Sequence, residues 1–158
     1  EDFKRVDVVV RAFMLMPHRH LIVTSGGSEL ERLKQLAAGA ANISFTGWVA
    51  EEELRVLVGN ARAAVYVPMD EDFGMSPVEA MAAGKPVIGV AEGGLLETIL
   101  DGETGLLIKD NLTPEKLRDA VEKLEGMNPQ VMRKRCEQRA ALFDESIFLE
   151  RMLALIQW

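Results

Sequence analysis

Three acids in a row, Asp70-Glu71-Asp72, stand directly before Phe73-Gly74, and Met75, Ser76 and Glu79 follow closely behind. Seven residues separate Glu71 from Glu79. Carboxylates gathered where a strand gives way to a helix can accept hydrogen bonds from a hydroxyl-bearing ligand, or can complement the positive end of the helix. Glu79 admits two readings. With Ser76 as N-cap and Pro77 in the first helical position, it completes a capping box and reaches back to a backbone N–H. At the edge of a cleft, the same carboxylate would accept paired hydrogen bonds from the vicinal hydroxyls of a ribose. Two glycine pairs stand at comparable places, Gly26-Gly27 before Ser28 and Gly93-Gly94 after Ala91-Glu92. Either pair could let the backbone approach a ligand at a helix start, and either is what an ordinary strand-to-helix turn requires. Gly26-Gly27 is not part of a G-x-G-x-x-G fingerprint, so NAD is not implied. The basic pair Lys4-Arg5, near the start of the first helix, reads by itself as a solvated face.

The elements that must position these residues alternate along the chain. Val6 to Met16 predicts a helix that stops before Pro17. Leu21 to Ser25 predicts a strand, and Ser28 to Ala38 a helix opened by a second capping-box pattern, Ser28-Glu29-Leu30-Glu31. Ile43 to Phe45 is a strand, Glu51 to Ala61 a helix with Leu54, Leu57 and Val58 on one face, and Ala64 to Val67 a strand stopped by Pro68. The acidic loop and a helix over Ser76 to Ala83 follow. Then come strand Val87 to Val90, a short helix Leu95 to Leu100 and strand Gly105 to Ile108. Three helices close the chain: Thr113 to Leu124, Pro129 to Leu142 and Ile147 to Gln157. Five short strands alternating with helices predict an α/β fold, a Rossmann-like three-layer arrangement of a parallel sheet with helices on both faces. In such sheets ligands bind at the carboxyl ends of the strands, where the segments above lie.

Composition narrows the classes. The 158 residues fit a single domain, 1–158, and 48% hydrophobic content supplies its core. A net charge of -7 argues against nucleic acid as a bulk electrostatic partner, but not against a nucleotide, whose phosphates can be held by a few N–H groups and cations. Cys136 is the only cysteine and reads as an ordinary thiol; with His18 and His20 the only histidines, Cys- or His-rich metal sites are excluded. No run approaches the ~20 apolar residues of a membrane span.

From Glu71 to Ile108 the chain reads EDFGMSPVEAMAAGKPVIGVAEGGLLETILDGETGLLI. This resembles the signature of the retaining, GT-B-type glycosyltransferases of family 4, the group 1 glycosyl transferases. That family carries Glu, seven residues, Glu, then Glu-Ala-Met-Ala, Gly-x-Pro-Val-Ile, Gly-Gly with a later Glu, and Gly-x-Thr-Gly. The resemblance runs from about Lys4 to the end of the chain and is densest from Val67 to Ile108.

The resemblance implies two Rossmann-like domains around a cleft, with this chain as the C-terminal, donor-binding half. The first strand of that half and the N-terminal acceptor domain would then lie outside the sequence, together with an Arg about five residues ahead of Lys4. It implies Glu71 beside the transferred hexose, as the catalytic position, and Glu79 on the ribose. Phe73, Gly74 and Met75 would lie along the hexose and diphosphate, with Ser76 also in the donor-binding set, and Gly47, Trp48 and Val49 along the base. Lys4 would meet the diphosphate, although Phe3 stands where the family has Glu. Gly26, Gly27, Gly93 and Gly94 would complete the donor-binding set. The expected partner is a UDP- or GDP-hexose, without a metal or other cofactor and without nucleic acid. The expected location is cytoplasmic, with any peripheral membrane attachment in the full-length parent. The isolated chain is expected to bind donor without turning over. Two alternatives stand beside this: a non-catalytic nucleotide-sugar-binding module, and a GT-B nucleotide-sugar epimerase. A phosphorylase would need a lysine for pyridoxal phosphate, and nothing marks one.

Overall fold

A computed structural model describes residues 2–24 and 26–156. Ser25, the expected last residue of the first strand, lies outside the described residues, as does Gln157 at the end of the last helix. A 3₁₀ turn, Asp2–Lys4, leads into α1 (Val6–Met14). Then follow β1 (Leu21–Thr24), α2 (Leu30–Leu36), β2 (Ile43–Gly47), α3 (Glu51–Asn60), β3 (Ala64–Val65), α4 (Met75–Ala82), β4 (Val87–Val90), α5 (Leu95–Thr98) and β5 (Gly105–Ile108). Helices α6 (Pro114–Glu125), α7 (Pro129–Ala141) and α8 (Glu145–Ile156) close the chain. No helix among the described residues is long and apolar enough to cross a membrane.

All strand pairs are parallel, as the alternation of elements requires. The strands pair as two groups, β1-β2 and β3-β4-β5. Strand β4 is central and buried along its whole length, which is why it reads as an unbroken apolar run. The expected third strand is shorter than its apolar run, because only Ala64 and Val65 pair regularly with β4. Tyr66 still donates its N–H to the Ile88 carbonyl, at 2.9 Å.

Helix α1 joins the two strand groups. Val9, Ala12, Phe13 and Met16 face the main core with Val87, Ile88 and Leu117, while Val10 packs with Leu33 and Ala37 under β1 and β2. Buried Asn42 secures the end of α1: its amide donates to the carbonyls of Phe13 (2.9 Å), Met16 (3.2 Å) and Arg19 (2.8 Å). Helices α6 and α7 start as their sequences direct, each with Pro in the first helical position. Thr113 Oγ1 accepts from Lys116 N–H (3.3 Å) and Asn128 Oδ1 from Gln130 N–H (3.0 Å). The expected capping box at Ser28 does not form. Helix α2 begins at Leu30 after a turn, Glu29 pairs with Arg32, and Glu31 reaches forward to Lys34 at 2.8 Å. Helix α8 has no buried residue and leaves Phe148, Leu149, Met152, Leu153, Leu155 and Ile156 exposed.

Candidate functional site

The exit of β3 builds one wall of an open groove of about 560 Å³, lined by Phe3, Lys4, Tyr66, Met69, Asp70, Glu71 and Asp72. Glu71 is held there at three points. Tyr66 donates its hydroxyl to Glu71 Oε2 at 2.6 Å, and Gly74 N–H donates to Oε1 at 3.1 Å. The Gly94 N–H donates to the main-chain carbonyl of Glu71 at 2.7 Å. Burial, and then the hydrogen bond and negative charge of Glu71, push the Tyr66 phenol well above its ordinary range. Tyr66 is therefore a neutral donor to a carboxylate acceptor at physiological pH. With Lys4 the only cation among the described lining residues and three acids beside it, the groove suits a hydroxyl-rich group better than an anion.

Helix α4 starts two residues earlier than Ser76 as N-cap would require. Gly74 is the N-cap, in the left-handed conformation (φ 83), and Met75 and Ser76 occupy the first helical positions. Pro77 is tolerated in the third position because the first N–H groups of a helix lack intrahelical partners anyway. The capping-box reading of Glu79 is thereby overturned: Ser76 already lies inside the helix and makes no cap. Glu79 is exposed, and among the described residues its carboxylate has no hydrogen-bond or ion-pair partner. The first turn of α4 carries no acid, and the N–H groups of Met75 and Ser76 have no partner among the described residues. An open, positive helix end and an uncommitted carboxylate thus lie one turn apart.

The two glycine pairs resolve differently. A Cβ on Gly94 would lie 2.3 Å from the Asp72 carbonyl oxygen, and one on Gly93 would lie 2.3 Å from that of Glu71. Gly93-Gly94 therefore packs against the backbone of the acidic loop and shapes it, where a cradle for the ligand itself was one expectation. Phe73 closes the loop from the other side, meeting the Phe143 ring edge-on at 5.5 Å. Arg139 lies over Phe143 and holds the Glu97 and Thr98 carbonyls at the end of α5.

Gly26 and Gly27 lie at the exit of β1, but their helix starts only at Leu30 and carries Glu29 and Glu31 at its own beginning, so that end is already complemented by acids. A Cβ on Gly26 would lie 2.7 Å from the indole nitrogen of Trp48, which brings the exits of β1 and β2 together. Trp48 is 81% exposed, a flat aromatic face open to solvent beside Gly47 and Val49. At the exit of β3, Lys4 lines the groove and its neighbour Arg5 does the anchoring. Arg5, at φ 48, donates to the carbonyls of Val67 (2.7 Å) and Pro68 (2.5 Å) and pairs with Glu92 at 3.2 Å. Phe3 accepts from Met69 N–H at 2.8 Å.

Tyr66 and Arg5 were not singled out for these roles by the sequence, though Tyr66 is its only tyrosine. Among the described residues, no three His, Cys, Asp or Glu side chains form a set that could hold a metal ion. A second cavity, of about 250 Å³, lies at the far ends of β3 and β4 and includes none of the residues above.

Comparison with known proteins gives the family and the fold. The family model "Glycosyl transferases group 1" matches residues 1–143. An alpha-1,3/1,6-mannosyltransferase of Dictyostelium discoideum is 41% identical over 98 residues, covering 60% of this chain and 23% of its own. The solved sucrose-phosphate synthase of Thermosynechococcus elongatus superposes with a TM-score of 0.85 at 29% identity, over 99% of this chain and 43% of that one. An Anabaena structure solved with UDP and glucose superposes with a TM-score of 0.81 at 18% identity, over 99% and 45% respectively, a likeness of fold. The chain thus spans less than half the length of the proteins it matches. With the parallel α/β fold shared and the family model covering all but the last helix and its approach, this chain belongs to the group 1 glycosyl transferases.

Proposed function

We propose that the chain is the C-terminal, donor-binding half of a retaining GT-B glycosyltransferase that transfers a hexose from a UDP- or GDP-hexose. The carrying observation is the uncommitted Glu79 carboxylate one helical turn inside the open end of α4. There it accepts hydrogen bonds from the ribose hydroxyls, while the N–H groups of Met75 and Ser76 meet the diphosphate. Glu71, fixed by Tyr66 and Gly74, faces the hexose, and the exposed indole of Trp48 with Gly47 and Val49 borders the base. When the anomeric C–O bond breaks, positive charge develops on the sugar and negative charge on the departing diphosphate. The α4 dipole and Lys4 are the groups that stabilise the latter, so the step needs no metal in this reading. The names of the relatives, a mannosyltransferase and a sucrose-phosphate synthase, and the UDP and glucose of the Anabaena structure support a nucleotide-hexose donor. The acceptor site belongs, in this reading, to the part of the relatives that this chain does not span.

Calorimetric titration with UDP, GDP, UDP-glucose and GDP-mannose tests this. One nucleotide series is expected to bind, and Glu79→Ala is expected to weaken it roughly 10- to 100-fold, as loss of hydrogen bonds to a charged group would. Equal affinity for wild type and Glu79→Ala, or no binding by any nucleotide, overturns the reading.

A further inference from the structure

We propose that Tyr66 is a positioning residue that orients the Glu71 carboxylate for the transferred hexose. This rests on the reading of Glu71 as the group that faces the sugar. Tyr66 sits at the exit of β3, with its backbone N–H bonded to Ile88 in the central strand at 2.9 Å. Its ring is therefore carried by the sheet, while Glu71 rides on the loop. The 2.6 Å bond from the phenol to Oε2 ties loop to sheet, and the 3.1 Å bond from Gly74 ties the other oxygen to the start of α4.

A carboxylate has about four acceptor positions, two on each oxygen. The described residues fill one on each, which leaves one on each, and a carboxylate held at both oxygens cannot rotate to offer both remaining positions elsewhere. Two acceptors in a fixed plane match two hydroxyls of one sugar ring. Without the phenol, Oε2 loses the one donor it has among the described residues, and the carboxylate is free to turn within the groove. Tyr66 keeps its proton because burial and the neighbouring carboxylate disfavour the phenolate, so it remains a donor wherever the enzyme works.

The test compares Tyr66→Phe and Glu71→Gln in the whole chain, titrating each with the nucleoside diphosphate and with the nucleotide sugar of the series that binds. Tyr66→Phe is expected to weaken nucleotide-sugar binding roughly three- to tenfold while leaving the nucleoside diphosphate within about twofold. A purely structural role would weaken both ligands alike, and overturns the inference. Glu71→Gln is expected to act in the same direction, with a double variant no weaker than Glu71→Gln alone. If Glu71→Gln shifts the sugar-dependent part and Tyr66→Phe does not, the positioning role falls and the reading of Glu71 stands; if neither shifts it, the reading of Glu71 itself falls. Because Tyr66 is the only tyrosine, phenolate absorbance reports it alone. The phenol is expected to titrate above the ordinary tyrosine range in wild type and lower in Glu71→Gln; an ordinary titration in wild type overturns the inference without any ligand.

Discussion

Cys136 is fully buried on the inner face of α7, and its Sγ lies 3.4 Å from the Thr104 carbonyl oxygen, to which the thiol donates. Burial first, and the nearby Glu137 second, push the thiol up to about 11 from an ordinary value of 9.0. The neutral form is thus the one the fold favours. The stability this contributes is fully present below pH 9 and is lost as pH rises from there to about 11, because only the unfolded chain sheds its proton freely in that window. The thermal midpoint of wild type is expected to fall across that range more steeply than that of Cys136→Ala, and native protein is expected to resist thiol alkylation at pH 8. Parallel slopes for the two proteins would refute this. At this scale the sequence was partly legible. The acids before Phe73 and Glu79 after it stood out at a strand exit, and it was the resemblance to the group 1 family that supplied the roles proposed for Glu71 and Glu79. The partners that hold or leave them were not legible: Tyr66 is five residues from Glu71 along the chain, and only the loop's path shows that the two side chains meet.

Among elements, the acidic loop is built by its neighbours. Gly94 has an ordinary helical φ of -63, so an added methyl there meets no backbone strain of its own, only the Asp72 carbonyl and the Phe73 Cα. Gly94→Ala is therefore expected to cost about 1–3 kcal/mol, a fall in Tm of roughly 2–10 °C, by overpacking. Because the atoms displaced belong to the loop that carries Glu71, donor affinity is expected to fall with it, whereas Glu79→Ala should lower affinity with little change in Tm. Calorimetry on both variants separates the two; an unchanged Tm for Gly94→Ala would show that the loop yields without cost. Strands β4 and β5 agree with their sequence readings residue for residue, because buried parallel strands are continuous apolar runs. The helix starts at Ser28 and Ser76 do not. Both segments spell a capping box, but Glu31 finds Lys34 ahead of it, and Gly74 takes the left-handed N-cap before Ser76 can. Local patterns propose such boundaries, and loop packing decides them.

Across the whole molecule, five parallel strands could be read from alternation, but their division into groups of two and three could not. Pairing is a contact between distant segments and leaves no mark in any one of them. Among the described residues β1 has β2 as its only strand partner and β3 has only β4, so each leaves an edge unpaired, and Ile22 on β1 is 48% exposed. Helix α8 adds Phe148 and Leu153, exposed at 60% and 56%. Sedimentation of the chain is expected to show concentration-dependent association, reduced in a Phe148→Glu/Leu153→Glu variant. A monomer at every concentration would mean that neither surface is sticky enough to matter.

The anchoring by Arg5 has a mechanical side. The peptide that enters at residue 2 is riveted to the exit of β3 by Phe3 and by Nε and Nη2 of the Arg5 guanidinium, and Nη2 also grips Glu92 at the exit of β4. Those rivets lie in the segment that continues directly into the acidic loop. A pull or twist on the entering peptide cannot be absorbed by slack before it reaches the groove. It arrives at the wall that carries Glu71, so the position of the entering peptide and the shape of the groove are coupled.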